Sequence, residues 1–164
     1  METKGQLSIE LILIIGFILI IILGIASFMG EDKELNQAMA VARSGAIEGA
    51  NVDSFAVYPE ESFKNYTREY QRLLSPSNVK IIKIDYTNHG FDEKYNKTRI
   101  QLRIYASAPS VTDEKDRDAL GDRVNFYARR SICESFSTSD QTNGLFNPAF
   151  SNRYTLTTAG VKWV

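Results

Sequence analysis

From Leu11 to Gly30 the chain reads LILIIGFILIIILGIASFMG without a charged side chain. Nothing else in the sequence restricts the fold so severely. About 20 residues make about 30 Å of α-helix, enough to cross a hydrocarbon core. Ile, Leu and Phe fall on every face of such a helix, whereas a core helix of a water-soluble domain normally keeps a polar stripe. An isolated segment in lipid must satisfy its own backbone, which a helix does. The run therefore predicts one membrane-spanning helix. Lys4 precedes it, and Glu31, Asp32 and Glu34 follow it. By the positive-inside tendency the N-terminus lies in the cytoplasm and the remainder outside.

An ordinary secretory signal has a basic start, a shorter apolar stretch and a small-residue cleavage site after it. Here the run is too long, and Glu10 sits hard against its start. Cleavage near Gly24-Ile25-Ala26 would discard the run. The polar prelude Lys4-Gly5-Gln6-Leu7-Ser8-Ile9-Glu10 needs another explanation. Gln6-x-Ser8-x-Glu10 directly before the apolar run resembles the class III signal peptide of euryarchaeal, methanogen-type type IV pilins. The family's apolar position four residues after the Glu, often Leu, is Ile14 here. The resemblance covers about the first thirty residues and says nothing about the rest. It implies that a prepilin peptidase cuts between Gly5 and Gln6, with Lys4 and Gly5 as the recognised flank. Cleavage before the run keeps the hydrophobic helix on the mature subunit, where it can pack with other copies or other pilins. Relative to water, burying each Ile or Leu is worth roughly 1.5–3 kcal/mol. Relative to lipid the gain is small, so the family's extrusion ATPase is expected to drive assembly. Glu10, costly at that depth unless paired, is expected to meet the new α-amine of Gln6, in its own subunit or a neighbour. Headgroup placement and the positive end of the helix dipole are the alternatives. Gly16 and Gly24, near one helical face, could let helices approach.

The helix is expected to continue past Gly30. Leu35, Met39, Ala42, Ala46 and Ala50 recur at three- and four-residue steps. Gly45 and Gly49 weaken this pattern near its end. A second helix is expected from Tyr58-Pro59-Glu60-Glu61, with Phe63, Tyr66, Tyr70, Leu73 and Leu74 as its core stripe. Ser75-Pro76-Ser77-Asn78 ends it. Val79–Thr87 reads as a strand with Ile82, Ile84 and Tyr86 on one face. Arg99–Ser107 alternates, with Ile100, Leu102, Ile104 and Ala106 inward and Arg99, Gln101, Arg103 and Tyr105 outward. The polar connection Asn88–Thr98 predicts an antiparallel hairpin. Val111–Phe136 fits a strand or a helix; its length and the charge-rich Asp113–Asp122 prelude, in which Lys115 and Arg117 offset the acids, favour a helix. Gln141–Asn152 reads as loop, and Tyr154–Val164 as one or two strands with Trp163 packed.

The chain carries 19 basic and 20 acidic side chains, with no basic excess to suggest nucleic acid or an anionic membrane surface. Eight Tyr, nine Phe and one Trp favour a packed core over a disordered stalk. With one cysteine, Cys133, and one histidine, His89, neither an intrachain disulfide nor a zinc site is expected, and Cys133 reads as a small core hydrophobe. Asp116, Asp118 and Gly121 match three positions of an EF-hand loop. Leu120 and Tyr127 occupy two positions where ligands are required, so the acidic stretch reads as a solvated helix start. No phosphate-cradling glycine loop or Gly-x-Ser-x-Gly motif is present. Asn65-Tyr66-Thr67 and Asn96-Lys97-Thr98 are sequons for N-glycosylation, and Asn96 falls in the expected hairpin loop.

These readings predict an α+β protein. A long N-terminal transmembrane and assembly helix is followed by a small head with an antiparallel sheet and one or two packed helices. Residues 1–5 form a cleaved leader. Residues 6–51 form the helix, 6–30 in membrane or filament core and 31–51 amphipathic. Residues 52–164 form an extracellular head. The expected function is a non-enzymatic prepilin without metal or cofactor, a major or minor subunit of an extracellular type IV pilus-like filament, for which the size of the head suggests a minor, tip or adhesive role. A monomeric, signal-anchored surface binding protein is the alternative.

Overall fold

The computed structural model describes residues 3–52 and 79–164, with side chains described for 9–26, 33–52 and 79–164. The chain divides into two compact units, Met1–Leu35 and Asn36–Val164. Helix α1 covers Thr3–Asn51. The helix expected from Tyr58 lies outside the described residues.

Strands β1 (Lys80–Asp92) and β2 (Lys97–Ser107) form the expected antiparallel hairpin. The polar connection contributes less loop than its composition suggests, because both strands run into it and the turn narrows to 93–96. Asp92 starts that turn: its Oδ1 accepts from the Lys94 amide at 3.0 Å. Asn96 ends it at φ 53°, a left-handed conformation that Asn tolerates better than most residues. On β2 the alternation is as expected, with Ile100, Leu102, Ile104 and Ala106 fully buried. On β1 the register shifts between Ile81 and Lys83, and again between Asn88 and Phe91, where Gly90 adopts φ 82°. Ile81 is buried, whereas Ile82 is 41% and Tyr86 50% exposed.

Helix α2 (Glu114–Ser135) occupies the ambiguous stretch. Asp113 is its N-cap, with Oδ1 accepting from the amides of Lys115 and Asp116. The charge-rich prelude is thus the start of a helix. After a 3₁₀ turn at Ser139–Gln141, the segment read as loop contains a short strand, β3 (Ala149–Phe150). β4 (Tyr154–Thr158) and β5 (Lys162–Trp163) complete the sheet.

The sheet is mixed, which corrects the antiparallel expectation. Its order is β1-β2-β4-β3, with β5 also paired to β2. β4 and β5 both run parallel to β2. The physical reason is α2. The chain returns through α2 to β3, which runs opposite to β4, and the tight reversal between β3 and β4 then sends β4 along β2 in the same direction. Hairpin logic between sequence neighbours cannot show this. The core lies between the sheet and α2, where Leu120, Val124 and Ile132 join Ile100, Leu102, Ile104 and Leu156 at zero exposure. Each contributes roughly 1.5–3 kcal/mol relative to exposure.

Candidate functional site

In the N-terminal unit, Ile9–Ala26 is the one window among the described residues long and apolar enough to cross a membrane, and none of it is buried. Its large side chains lie between 45% (Ile21) and 69% (Ile20) exposed. Roughly half of each is therefore free to be covered, a gain of about 1 kcal/mol per side chain relative to water. Glu10 is the only ionisable residue in that window and is exposed. Gly16 and Gly24 face open space: an added Cβ at either would meet nothing within 4 Å. Lys4, Gly5, Gln6 and Ser8 lie in the first turns of α1.

In the head unit, the last turns of α1 form a seam with α2. Ala38, Ala42, Ala46 and Ala50 are buried, and between them Gly45 and Gly49 allow contact of backbone with backbone. A Cβ on Gly45 would stand 2.4 Å from the Tyr127 carbonyl oxygen, and one on Gly49 would stand 2.9 Å from Tyr127 Cβ. These glycines, which weakened the helix pattern in the sequence, are what lets α1 pack here. Their recurrence every four residues beside Ala46 and Ala50 is the signal that could have shown it. Arg123, 5% exposed, donates from Nε to the Gly49 carbonyl at 2.8 Å. That carbonyl belongs to the last turn of α1, whose carbonyls lack partners within the helix. The last turn has no basic residue of its own. The α2 guanidinium therefore supplies both the donor and the positive charge favoured there.

Further along α2, Asn125 Nδ2 donates to the Ala159 carbonyl at 3.1 Å. Arg129 donates to the Leu145 carbonyl at 3.3 Å and to the Thr158 hydroxyl. Burial pulls the Arg129 guanidinium below its ordinary pKa, partly offset by Asp122. These polar side chains tie α2 to β4 and to the loop before β3. Cys133 is fully buried on α2, and burial pushes its thiol pKa up. His89 is exposed on β1. No group of three or more His, Cys, Asp or Glu side chains placed to hold a metal occurs among the described residues.

The sheet face away from α2 carries charge. By register, Lys83, Asp85, Arg99, Arg103, Tyr105 and Lys162 share it. Lys83 Nζ lies 4.4 Å and Lys162 Nζ 5.6 Å from the centre of the Tyr105 ring, so two ammonium groups flank one aromatic. Lys83 also pairs with Asp85 at 2.7 Å. Outward Arg99, Arg103 and Tyr105 were legible in the alternation of β2; the placing of Lys83 and Lys162 beside them was not. At the end of β2 an open cleft of about 250 Å³ is lined by Ser107, Ala108, Pro109, Arg117, Trp163 and Val164. Arg117 is engaged there, donating from Nε to the Val111 carbonyl at 2.7 Å.

Of the two sequons, Asn96 is exposed in the β1–β2 turn. Asn65 lies outside the described residues. No protein-family model matches the chain, nor does any curated protein or solved structure.

Proposed function

We propose that the chain is a prepilin, cut between Gly5 and Gln6 by a prepilin peptidase and assembled through α1 into an extracellular type IV pilus-like filament. The observation that carries this reading is the position of Glu10. A lone carboxylate stands at the head of an apolar helical window whose side chains are uncovered throughout, directly behind the Gln6-x-Ser8 prelude. A carboxylate there needs a partner once water is removed. Cleavage before Gln6 creates one, the new α-amine, in the same subunit or its neighbour. The uncovered Ile and Leu side chains are satisfied first by lipid and then by like helices, and Gly16 and Gly24 permit close approach between them. The head, held outside, carries the Asn96 sequon and serves contact with other subunits or a surface.

N-terminal sequencing and intact-mass measurement of the mature protein test the reading. In cells with the prepilin peptidase the chain should begin at Gln6, and in cells lacking it at Met1. Mature material beginning at Met1 in peptidase-containing cells overturns the proposal.

A further inference from the structure

We propose that the charged outer face of the sheet docks the acidic start of α2 from a second copy of this chain, so that heads engage one another front to back. The inference deepens the filament reading and rests on it.

Charge segregation within one near-neutral chain is the starting observation. The formal net charge is −1, while the outer sheet face is net cationic and the first turns of α2 are net acidic, with Asp113, Glu114, Asp116 and Asp118 outnumbering Lys115 and Arg117. On the outer face Lys83, Arg99, Arg103 and Lys162 are exposed, with Asp85 as the acidic member. Two of these cations converge on the half-buried Tyr105 ring, which makes a flat, cationic, partly apolar platform. Glu114 and Asp118 in the first turns of α2 are exposed, as is the N-cap Asp113, with Lys115 the one exposed cation among them.

The fold keeps these two surfaces apart. Trp163 pairs with Ala106 on the buried side of the sheet. A Cβ on Gly121 of α2 would lie 3.7 Å from the Trp163 ring, so α2 lies on that side. Lys162, the neighbour of Trp163, points to the opposite side with Tyr105. A head therefore cannot place its own acidic helix start on its own cationic platform, whereas a neighbour can. A single such contact joins two different surfaces and leaves one of each free on the pair, so its repetition builds an open chain or a ring. Complementary potentials of this kind fix orientation and register between partners. A free polyanion is the less favoured occupant, because the whole chain is slightly acidic and Asp85 sits within the platform.

The test uses the full chain in peptidase-containing cells, cross-linked in the membrane and in sheared filaments with a short bismaleimide. Buried Cys133 is left in place, and its lack of labelling reports that each variant is folded. Arg103→Cys and Glu114→Cys together should give a ladder of multimers, while either alone should give none. Added Lys162→Glu or Asp118→Lys should each reduce the ladder about tenfold, since like charges then face each other. The two together should restore it, and high salt should weaken it. Dimers from a single-cysteine variant would show a symmetric contact and overturn the proposal. So would a Lys162→Glu loss that Asp118→Lys does not repair, accompanied by lost retention on heparin, which identifies a polyanion as the occupant. No ladder in filaments that do contain the chain overturns this inference and leaves the filament reading intact. A ladder in membranes, with the chain absent from every filament, upholds the head contact and defeats the filament reading.

Discussion

At the scale of single residues, the same residue type does opposite things in the two units. Gly16 and Gly24 face open space, while Gly45 and Gly49 are pressed against the α2 backbone. Gly45→Ala should destabilise the head by about 1–3 kcal/mol, the usual result of forcing a methyl group into filled space. Gly24→Ala should leave head stability within about 0.5 kcal/mol. Denaturant unfolding of the detergent-solubilised chain, followed by Trp163 fluorescence, measures both. Cys133 gives a second prediction. Its buried thiol stays protonated where an exposed thiol ionises, and the thiolate is the reactive form. Native protein should resist iodoacetamide at pH 8 and become fully labelled in denaturant. The linkage has a definite sign. A folded pKa above the unfolded value means that the unfolded chain loses this proton first. The head should therefore lose stability as pH rises above about 8.5, the unfolded value for a thiol. Cys133→Ser should flatten that slope.

At the scale of elements, α2 organises the head. Seven consecutive residues from Arg123 to Arg129 are buried, because α1, the sheet and the loop before β3 all pack around it. A helix covered on several sides shows no single apolar stripe. That is why periodicity alone left Val111–Phe136 undecided between helix and strand, whereas the one-sided strand β2 was legible residue by residue. Burial of Arg123, Asn125 and Arg129 follows from polar demands elsewhere: Gly49 in the last turn of α1, Ala159 just after β4 and Leu145 in the loop before β3 present carbonyls that α2 satisfies. Arg123→Met keeps the packing volume but removes the donor to the Gly49 carbonyl. It should cost about 1–3 kcal/mol, the penalty for stranding a buried polar group, measured by the same unfolding experiment. Lys at this position should recover only part of the loss, since an ammonium does not reproduce the planar guanidinium.

For the whole molecule, the uncovered Ile9–Ala26 window dominates behaviour in solution. The full chain should remain with membranes after alkaline carbonate extraction. Ile18→Asp places a carboxylate near the middle of the window, where insertion becomes less favourable by about 2.5–3.5 kcal/mol. A substantial share of that variant should move to the supernatant. The head's stability should be unchanged, because Ile18 belongs to the N-terminal unit.

Local sequence was enough for the apolar helical run with Glu10 at its head, the β1–β2 hairpin and the inward face of β2, and it favoured a helix after the charge-rich stretch that opens at Asp113. Each of these is local: composition or alternation within a few residues specifies it. That β4 and β5 join β2 in parallel, and that the segment before β4 contributes β3, emerges from long-range packing alone. The same packing also brought Gly45 and Gly49 close to α2, and gathered Lys83 and Lys162 around Tyr105. Those features depend on which segments α2 brings together across long stretches of chain, and no local pattern carries that information. The polar prelude before the apolar run was legible from the first lines of the sequence; the cationic face of the head became visible only once the strands had been placed side by side.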